Sequence, residues 1–206
     1  PWYVDTRVFF YRSDLLQKAG FENFPSNWEY LLKAAKALKL QKIKDKEEGY
    51  ALLLPLNDWQ IFLPFLWQNG GNILNKDSSK ALIFSENSKE SILFYKSFFD
   101  QKHTPKEKAS DMDLFNAFST GYYPMFISGP WMVSELENKL PKLTGKWKTA
   151  KMPFKINNKS FIGGANLVLF KNSRNKEAAW KFMEFLSLPE NQVEWFRLSK
   201  TLPSLV

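Results

Sequence analysis

Apolar, strand-like runs alternate along this chain with helical patterns whose apolar residues recur on one face. The run at 6–11 is almost continuously apolar from Val8 to Tyr11, as expected of a strand buried on both faces. Further strands are predicted at 50–54, 122–127, 147–152 and 167–170, and helices at 26–40, 85–101, 113–120, 131–140, 175–186 and 189–199. This alternation predicts the α/β class, with a sheet flanked by helices.

Local signals predict where several helices begin and end. Ser26 and Glu29 form a capping box ahead of the helix that ends near 40. Asp58 can cap the next helix, which Gly70 and its neighbouring glycine should end. Pro64 lies inside that helix, and we expect it to kink the helix or stay near its start. Residues 201–203 are predicted to form a loop.

The absence of cysteine and the presence of one histidine exclude many kinds of site. No disulfide, zinc–thiolate centre, iron–sulfur cluster or cysteine nucleophile can form. His103 lies in a polar connection at 101–105, which favours a solvated loop residue over a catalytic or ligating one. Neither a P-loop nor a dinucleotide fingerprint is found, so we expect no metal and no cofactor.

The aromatic content, 17% of residues, is the other unusual feature of the composition. Most of these rings should pack in the core. Trp2, Trp59 and Trp131, however, lie at the ends of predicted strands, where α/β sheets bind ligands. Trp59 also lies beside Asn57, Asp58 and Gln60. Indole faces beside amides and carboxylates suit a sugar, which offers a weakly apolar ring face and hydroxyl groups.

Five segments, in this order along the chain, resemble the extracellular solute-binding proteins of ABC importers, in the branch that includes maltose-binding protein. They are 1–7 with 11–16, the helix at 25–38, Trp67-Gln68-Asn69-Gly70-Gly71, the stretch 115–131 ending in Ser128-Gly129-Pro130-Trp131, and Gly163-Gly164-Ala165-Asn166 with the helix at 175–182. The resemblance implies two α/β lobes joined by a hinge that closes around a solute, most often a sugar. It implies a periplasmic-binding-protein-like lobe with a mixed sheet.

The resemblance also implies ligand contacts, position by position. Asp5 corresponds to an acidic residue beside the hinge that accepts sugar hydroxyls, and Trp131 to a stacking tryptophan. The remaining contacts implied are Asn57, Asp58 and Trp59 in one loop, Gly164 and Asn166 where the second crossover passes the ligand, and Trp2. The protein would then be a non-enzymatic, extracytoplasmic carbohydrate-binding component with a membrane permease as its partner.

The length of the chain departs from this family, whose members are about twice as long. We therefore expect a fragment: 1–160 as most of the second, inserted lobe with the first hinge strand, and 161–206 as a returning piece of the first lobe. Half a cleft should bind solute weakly or not at all. The aromatic helices at 175–198 should self-associate. Pro1 follows no signal segment in this sequence and no run could span a bilayer, so we expect a processing site or a cut there.

Two alternatives remain open from the residues. One is a glycoside hydrolase domain, whose two carboxylates would lie about 5–5.5 Å or 6.5–9.5 Å apart. The available carboxylates include Asp5, Asp58, Asp111 and Asp113. The other is a nucleic-acid-binding domain, suggested by the net charge of +8. The lysines are spread along the chain, however, and the dense stretch at 33–46 is typical of a solvated helix face followed by a charged loop.

Overall fold

A computed structural model describes residues 1–41, 49–106 and 113–204, and these contain two three-stranded sheets. In the first sheet, β1 (Tyr3–Thr6) pairs antiparallel with β5 (Ile162–Ala165) on one side and β6 (Leu202–Pro203) on the other. In the second, β2 (Val8–Arg12) lies antiparallel between β3 (Met125–Ser128) and β4 (Trp147–Ala150). The buried strand predicted at 6–11 is confirmed from Val8 to Tyr11 as part of β2, but Thr6 belongs to β1, which pairs in the other sheet, and Arg7 lies between the two strands.

Eight α-helices accompany these sheets in the described part of the chain. They are α1 (Ser13–Lys18), α2 (Trp28–Lys39), α3 (Trp59–Gln68), α4 (Glu86–Asp100), α5 (Leu114–Thr120), α6 (Trp131–Lys139), α7 (Lys176–Ser187) and α8 (Pro189–Ser199), with a 3-10 helix at Pro141–Leu143. The predicted helices are confirmed with small differences at their ends.

The helix caps agree with the sequence signals at most positions. The Asp58 carboxylate accepts from the Gln60 backbone N–H at 2.9 Å, which confirms Asp58 as the cap of α3. The predicted capping box at Ser26 is wrong, because Asn27 caps α2 and accepts from the Tyr30 N–H at 2.9 Å. Helix α3 continues past Pro64 to its end at Gln68.

Three predicted segments differ in their pairing. Residues 50–54 are buried but form only one parallel bridge, between Leu53 and Phe126, instead of a regular strand. No described strand pairs with 167–170, where Phe170 is 77% exposed, so the strand predicted there is wrong. Conversely, the predicted loop at 201–203 contributes β6, since Leu202 and Pro203 pair with β1.

The core lies on both faces of β2, because successive strand residues point to opposite sides. Phe9 and Tyr11 pack into a large cluster that also includes residues of α2, α3, α4 and the segment 51–54. Phe10 points the other way, stacks on Phe126 with ring centroids 5.3 Å apart, and contacts the α6 side of the sheet. This arrangement confirms the α/β class, with helices covering both faces of a sheet.

His103 is buried, which corrects its prediction as a solvated loop residue. Only 3% of the residue is exposed, and its backbone carbonyl accepts from the Ala51 N–H at 2.8 Å. Its Nε2 lies 3.1 Å from Gln101 Oε1. Burial, reinforced by Lys39 and Lys36, lowers the pKa of the imidazole below its ordinary value. Tertiary packing of 51–54 over the end of α4 produces this burial.

The exposed faces of α2 and α7 test two further predictions made from the sequence. Lys33 and Lys36 are exposed on α2, as predicted for a solvated face, while the charged loop predicted next falls at 42–48, outside the described residues. On α7, Phe182 was expected inside but is 60% exposed, and α7 buries none of its residues. That helix contacts mainly α8, so its apolar side has no sheet beneath it within the described residues.

Candidate functional site

Arg7 lies between the two sheets and connects the predicted site residues. Its guanidinium donates to Asp5 Oδ2 at 2.6 Å and to Gln60 Oε1 on α3. The guanidinium carbon also lies 5.1 Å from the centre of the Trp131 ring and 5.2 Å from that of Phe161. A cation within about 6 Å of a ring centre interacts favourably with that ring. The Arg7 residue is buried, so these contacts are largely shielded from water.

Asp5 is held by one of its two carboxylate oxygens. Oδ2 accepts from Arg7, whereas Oδ1 is buried and receives no donor from the part of the chain that the structure describes. The Asp5 side chain is 13% exposed. A buried acceptor left unpaired costs about 1–3 kcal/mol.

Trp131 begins α6 directly after the turn that follows β3, as the sequence predicts. Its indole lies against the backbone of Gly129, where an added Cβ would come within 2.0 Å of the ring. Glycine at that position therefore lets the ring fold back toward the strand end. Trp131 remains 37% exposed, so one part of the ring faces Arg7 while another part stays accessible.

A cleft of about 230 Å³ lies beside Trp131, lined by Trp2, Tyr3, Trp131, Trp195 and Thr201. The rings of Trp2 and Trp195 have centroids 5.5 Å apart. The structure thus brings together two predicted site residues, Trp2 and Trp131, through elements that are distant in sequence. Trp195 was not predicted to belong to the site, and Tyr3 was noted only as an aromatic residue beside Trp2 at the first strand. For Trp195, a helical aromatic stripe carries no signal that separates it from core packing.

The loop at 57–59 approaches the same region from α3. Trp59 is 59% exposed and meets the Phe161 ring edge-on at a centroid distance of 5.5 Å. Asp58 uses its carboxylate to cap α3. Asn57 is exposed and lines a larger, mainly apolar cavity of about 570 Å³, together with Ser128 and 53–56. Asn57 and Trp59 therefore lie on different parts of the surface around α3.

The second crossover pairs with β1, so its two predicted residues lie on the first sheet. Gly164 is opposite Val4 and has a φ of +145°; a Cβ there would lie 2.0 Å from the Tyr3 carbonyl oxygen. The close approach seen is thus to β1. Asn166 is exposed just after β5, where Trp2 N–H donates to the Ala165 carbonyl at 2.7 Å.

Sequence reasoning missed two of the residues that link these parts, Arg7 and Phe161, whereas Gln60 was noted beside Trp59 without its contact to Arg7. A charged residue inside an otherwise apolar strand run was the available signal for Arg7. Phe161 carried no such signal. Of the remaining predicted carboxylates, Asp113 caps α5, accepting from the Asn116 N–H at 3.2 Å, and Asp111 lies outside the described residues.

A family model identifies the kind of protein to which this fold belongs. The model for bacterial extracellular solute-binding proteins matches residues 1–193. The chain belongs to this family, whose members are binding proteins that act outside the cytoplasm. Among the helices of the described ranges, none combines the length and apolar character needed to cross a bilayer.

Similar proteins support the same conclusion over almost the whole chain. A relative from Brucella abortus (strain 2308), named as a binding protein, is 30% identical over 191 residues, which are 90% of this chain and 45% of the relative. The sugar-binding protein MalE from Xanthomonas citri is 33% identical with a TM-score of 0.83, covering 98% of this chain and 51% of MalE. The GacH receptor of Streptomyces glaucescens, solved unliganded and with acarbose, is 27% identical with a TM-score of 0.85, covering 100% of this chain and 52% of GacH. The chain spans about half the length of these relatives.

Proposed function

We propose that this chain supplies part of the carbohydrate-binding surface of an ABC importer's solute-binding protein. The observation that carries the proposal is the cleft formed by Trp2, Tyr3, Trp131 and Trp195. Binding sites for small molecules are mostly apolar, with a few polar groups that fix orientation. Rigid aromatic faces provide the apolar surface on which a pyranose ring stacks.

A polar group beside these rings supports a hydroxyl-bearing ligand. Asp5 Oδ1 is a buried acceptor, and Arg7 bridges Asp5 to Trp131. Asp5 does not itself line the cleft, so Oδ1 becomes available to a sugar hydroxyl only when the groups that cover it move as the lobes open or close. The carboxylate charge is already balanced by the Arg7 guanidinium, which favours a neutral solute over a cation. Among the similar proteins, MalE is described as sugar-binding and GacH was solved with acarbose.

The roles proposed for Trp2 and Trp131 follow from this cleft, and those proposed for the other residues follow from the resemblance to the family. Asp5 accepts hydroxyls, and Trp131 and Trp2 stack on the sugar. The surrounding contacts proposed are Asn57, Asp58 and Trp59 from the α3 loop, and Gly164 and Asn166 from the second crossover. We assign 1–160 to the second lobe with its first hinge strand and 161–206 to a returning piece of the first lobe. Closure about these crossovers would bring the second wall onto the solute, without catalysis, for recognition by a permease.

Fluorine NMR tests this proposal directly. In a chain labelled with 5-fluorotryptophan, maltose or acarbose should shift the resonances of Trp2, Trp131 and Trp195, assigned by single Trp→Phe variants. Trp28 is buried and stacked on Phe94, so it provides an internal reference. Leucine, a solute of similar size to one sugar ring, serves as the control ligand.

The expected affinity is weak, in the millimolar range, because the chain covers about half of the proteins it resembles. Equal responses to leucine and acarbose, or no response to either sugar at its solubility limit, would overturn the assignment of the cleft to carbohydrate. Micromolar binding would support carbohydrate binding but contradict the division of the cleft between two lobes.

A further inference from the structure

We propose that Arg7 is a positioning residue that prepares the ligand face of the cleft. Its guanidinium lies against the Trp131 indole and fixes the Asp5 carboxylate through Oδ2. This inference rests on the proposed function, because it assigns a role within the same site. Arg7 contacts the proposed ligand-binding residues, and we do not propose that it contacts the solute itself.

The hydrogen bonds of Arg7 explain its fixed position. A guanidinium presents several N–H donors in a rigid, planar fork. One terminal nitrogen donates to Asp5 Oδ2 at 2.6 Å and to the Thr6 carbonyl at 3.3 Å, and the other donates to Gln60 Oε1. The Arg7 carbonyl accepts from Ser160 Oγ at 2.5 Å. The residue is thus joined to β1, α3 and the segment before β5.

Two aromatic rings complete the surroundings of the guanidinium. The ring of Trp131 lies 5.1 Å from its central carbon, and that of Phe161 lies 5.2 Å away. Phe161 is in turn the ring that Trp59 meets edge-on. A desolvated cation interacts more strongly with neighbouring aromatic rings than one exposed to water does. Displacing Arg7 would therefore loosen Trp131 directly and Trp59 through Phe161.

Lysine cannot reproduce this arrangement, although it keeps the charge. Its ammonium is a compact point charge without a planar face, so it cannot stack on a ring while it forms forked hydrogen bonds to Asp5 and Gln60. Arg7→Lys is therefore the informative variant, because the charge balance with Asp5 is preserved. Arg197→Lys is a matched control, since Arg197 is exposed and pairs only with Glu194 at 3.4 Å among the described residues.

The first measurement does not depend on any ligand. In the 5-fluorotryptophan spectrum, Arg7→Lys should shift or broaden the Trp131 resonance, with a smaller change at Trp59 and none at Trp28. Arg197→Lys should leave all of these unchanged. A Trp131 resonance identical to that of the unmodified chain would overturn the proposal.

The second measurement uses acarbose as the probe. Arg7→Lys should weaken the acarbose response about tenfold, because the rings and the Asp5 carboxylate are no longer held in the binding geometry. If the unmodified chain shows no sugar response but Arg7→Lys still moves Trp131, the proposed function fails while the positioning of Trp131 stands. If sugar binds equally well to both chains, the role of Arg7 is overturned while the proposed function stands.

A double variant covers the case in which Arg7→Lys does not fold. Asp5→Asn with Arg7→Met removes both charges together, so no buried charge is left unpaired. The Trp131 resonance should still shift or broaden, because the cation beside its ring has been removed. Retention of the original Trp131 signal in this double variant would contradict the proposal.

Discussion

The indole rings of Trp2 and Trp195 lie 5.5 Å apart, although these residues stand near opposite ends of the sequence. Trp2 precedes β1, and Trp195 lies on α8, whose following strand β6 also pairs with β1. The contact therefore places one aromatic wall of the cleft on a helix that returns to the first sheet. Substitution of Trp195 can separate the contribution of this aromatic wall to binding from that of Trp131.

Trp195→Ala should weaken acarbose binding, followed by the shift of the Trp131 resonance, about fivefold. This factor corresponds to the loss of about 1 kcal/mol of aromatic contact. The reason is that Trp195 forms part of the cleft lining and supports Trp2. The measurement is the fluorine NMR titration. Trp180→Ala is the matched control, since Trp180 is an exposed tryptophan on α7 that does not line this cleft. Equal effects of the two substitutions would contradict a specific role for Trp195.

Gly164→Ala should destabilise the chain strongly by separating β5 from β1. The residue has a φ of +145°, and its added Cβ would lie 2.0 Å from the Tyr3 carbonyl oxygen, which is backbone and cannot move aside. The conformational strain alone costs about 1–3 kcal/mol, and the clash adds to it. Urea unfolding followed by circular dichroism measures the change in the free energy of unfolding.

Gly145→Ala separates these two contributions. Gly145 also has a positive φ, +77°, but a Cβ there meets nothing within 4 Å. Its substitution should cost only the conformational part, about 1–2 kcal/mol. A loss of stability at Gly164 no larger than that at Gly145 would show that the approach of the two strands is not close in solution.

His103 should make the stability of the chain decrease as the pH falls below about 6.5. Its pKa in the folded chain lies below the ordinary 6.5, mainly because of burial. The unfolded chain therefore binds this proton at a higher pH than the folded chain does. The stabilisation is complete above pH 6.5 and is lost progressively as the pH falls toward the folded pKa.

Urea midpoints measured from pH 7.5 to 5 test this expectation. His103 is the only histidine in the chain, and most carboxylates titrate below this range, which leaves the window largely to one group. His103→Gln, which keeps a polar side chain, should flatten the profile. A slope that persists in this variant would assign the pH dependence to another group.

The exposed apolar surface of α7 and the segment before it should drive self-association. Phe170 and Phe182 are among the large apolar side chains with most of their surface exposed. Light scattering at increasing concentration should show particles larger than one chain, and Phe170→Ser with Phe182→Ser should shift them toward monomer. Phe84→Ser is the control, because Phe84 is 88% exposed but lies away from these segments in the sequence. A strictly monomeric chain at high concentration would contradict the prediction.

Helices could be predicted well from this sequence because their signals are local. The cap at Asp58 and the end of α3 before Gly70 depend on residues a few positions away. Strands were predicted less well, since a strand needs a partner elsewhere in the chain. The run at 167–170 has strand-like residues but no described partner, whereas Leu202 and Pro203 become a strand because β1 lies beside them.

In the candidate site, too, the features with local signals were predicted from the sequence and those that depend on distant segments were not. The sequence by itself determined the class of fold, the turn that brings Trp131 to a strand end, and, through ordered motifs, the resemblance to solute-binding proteins. Tertiary structure decided that Arg7 joins Asp5 to Trp131, that Trp195 completes the cleft with Trp2, and that His103 is buried. The physical reason is range: capping and helical periodicity act within a turn or two, whereas burial and charge pairing depend on which distant segments the sheets bring together.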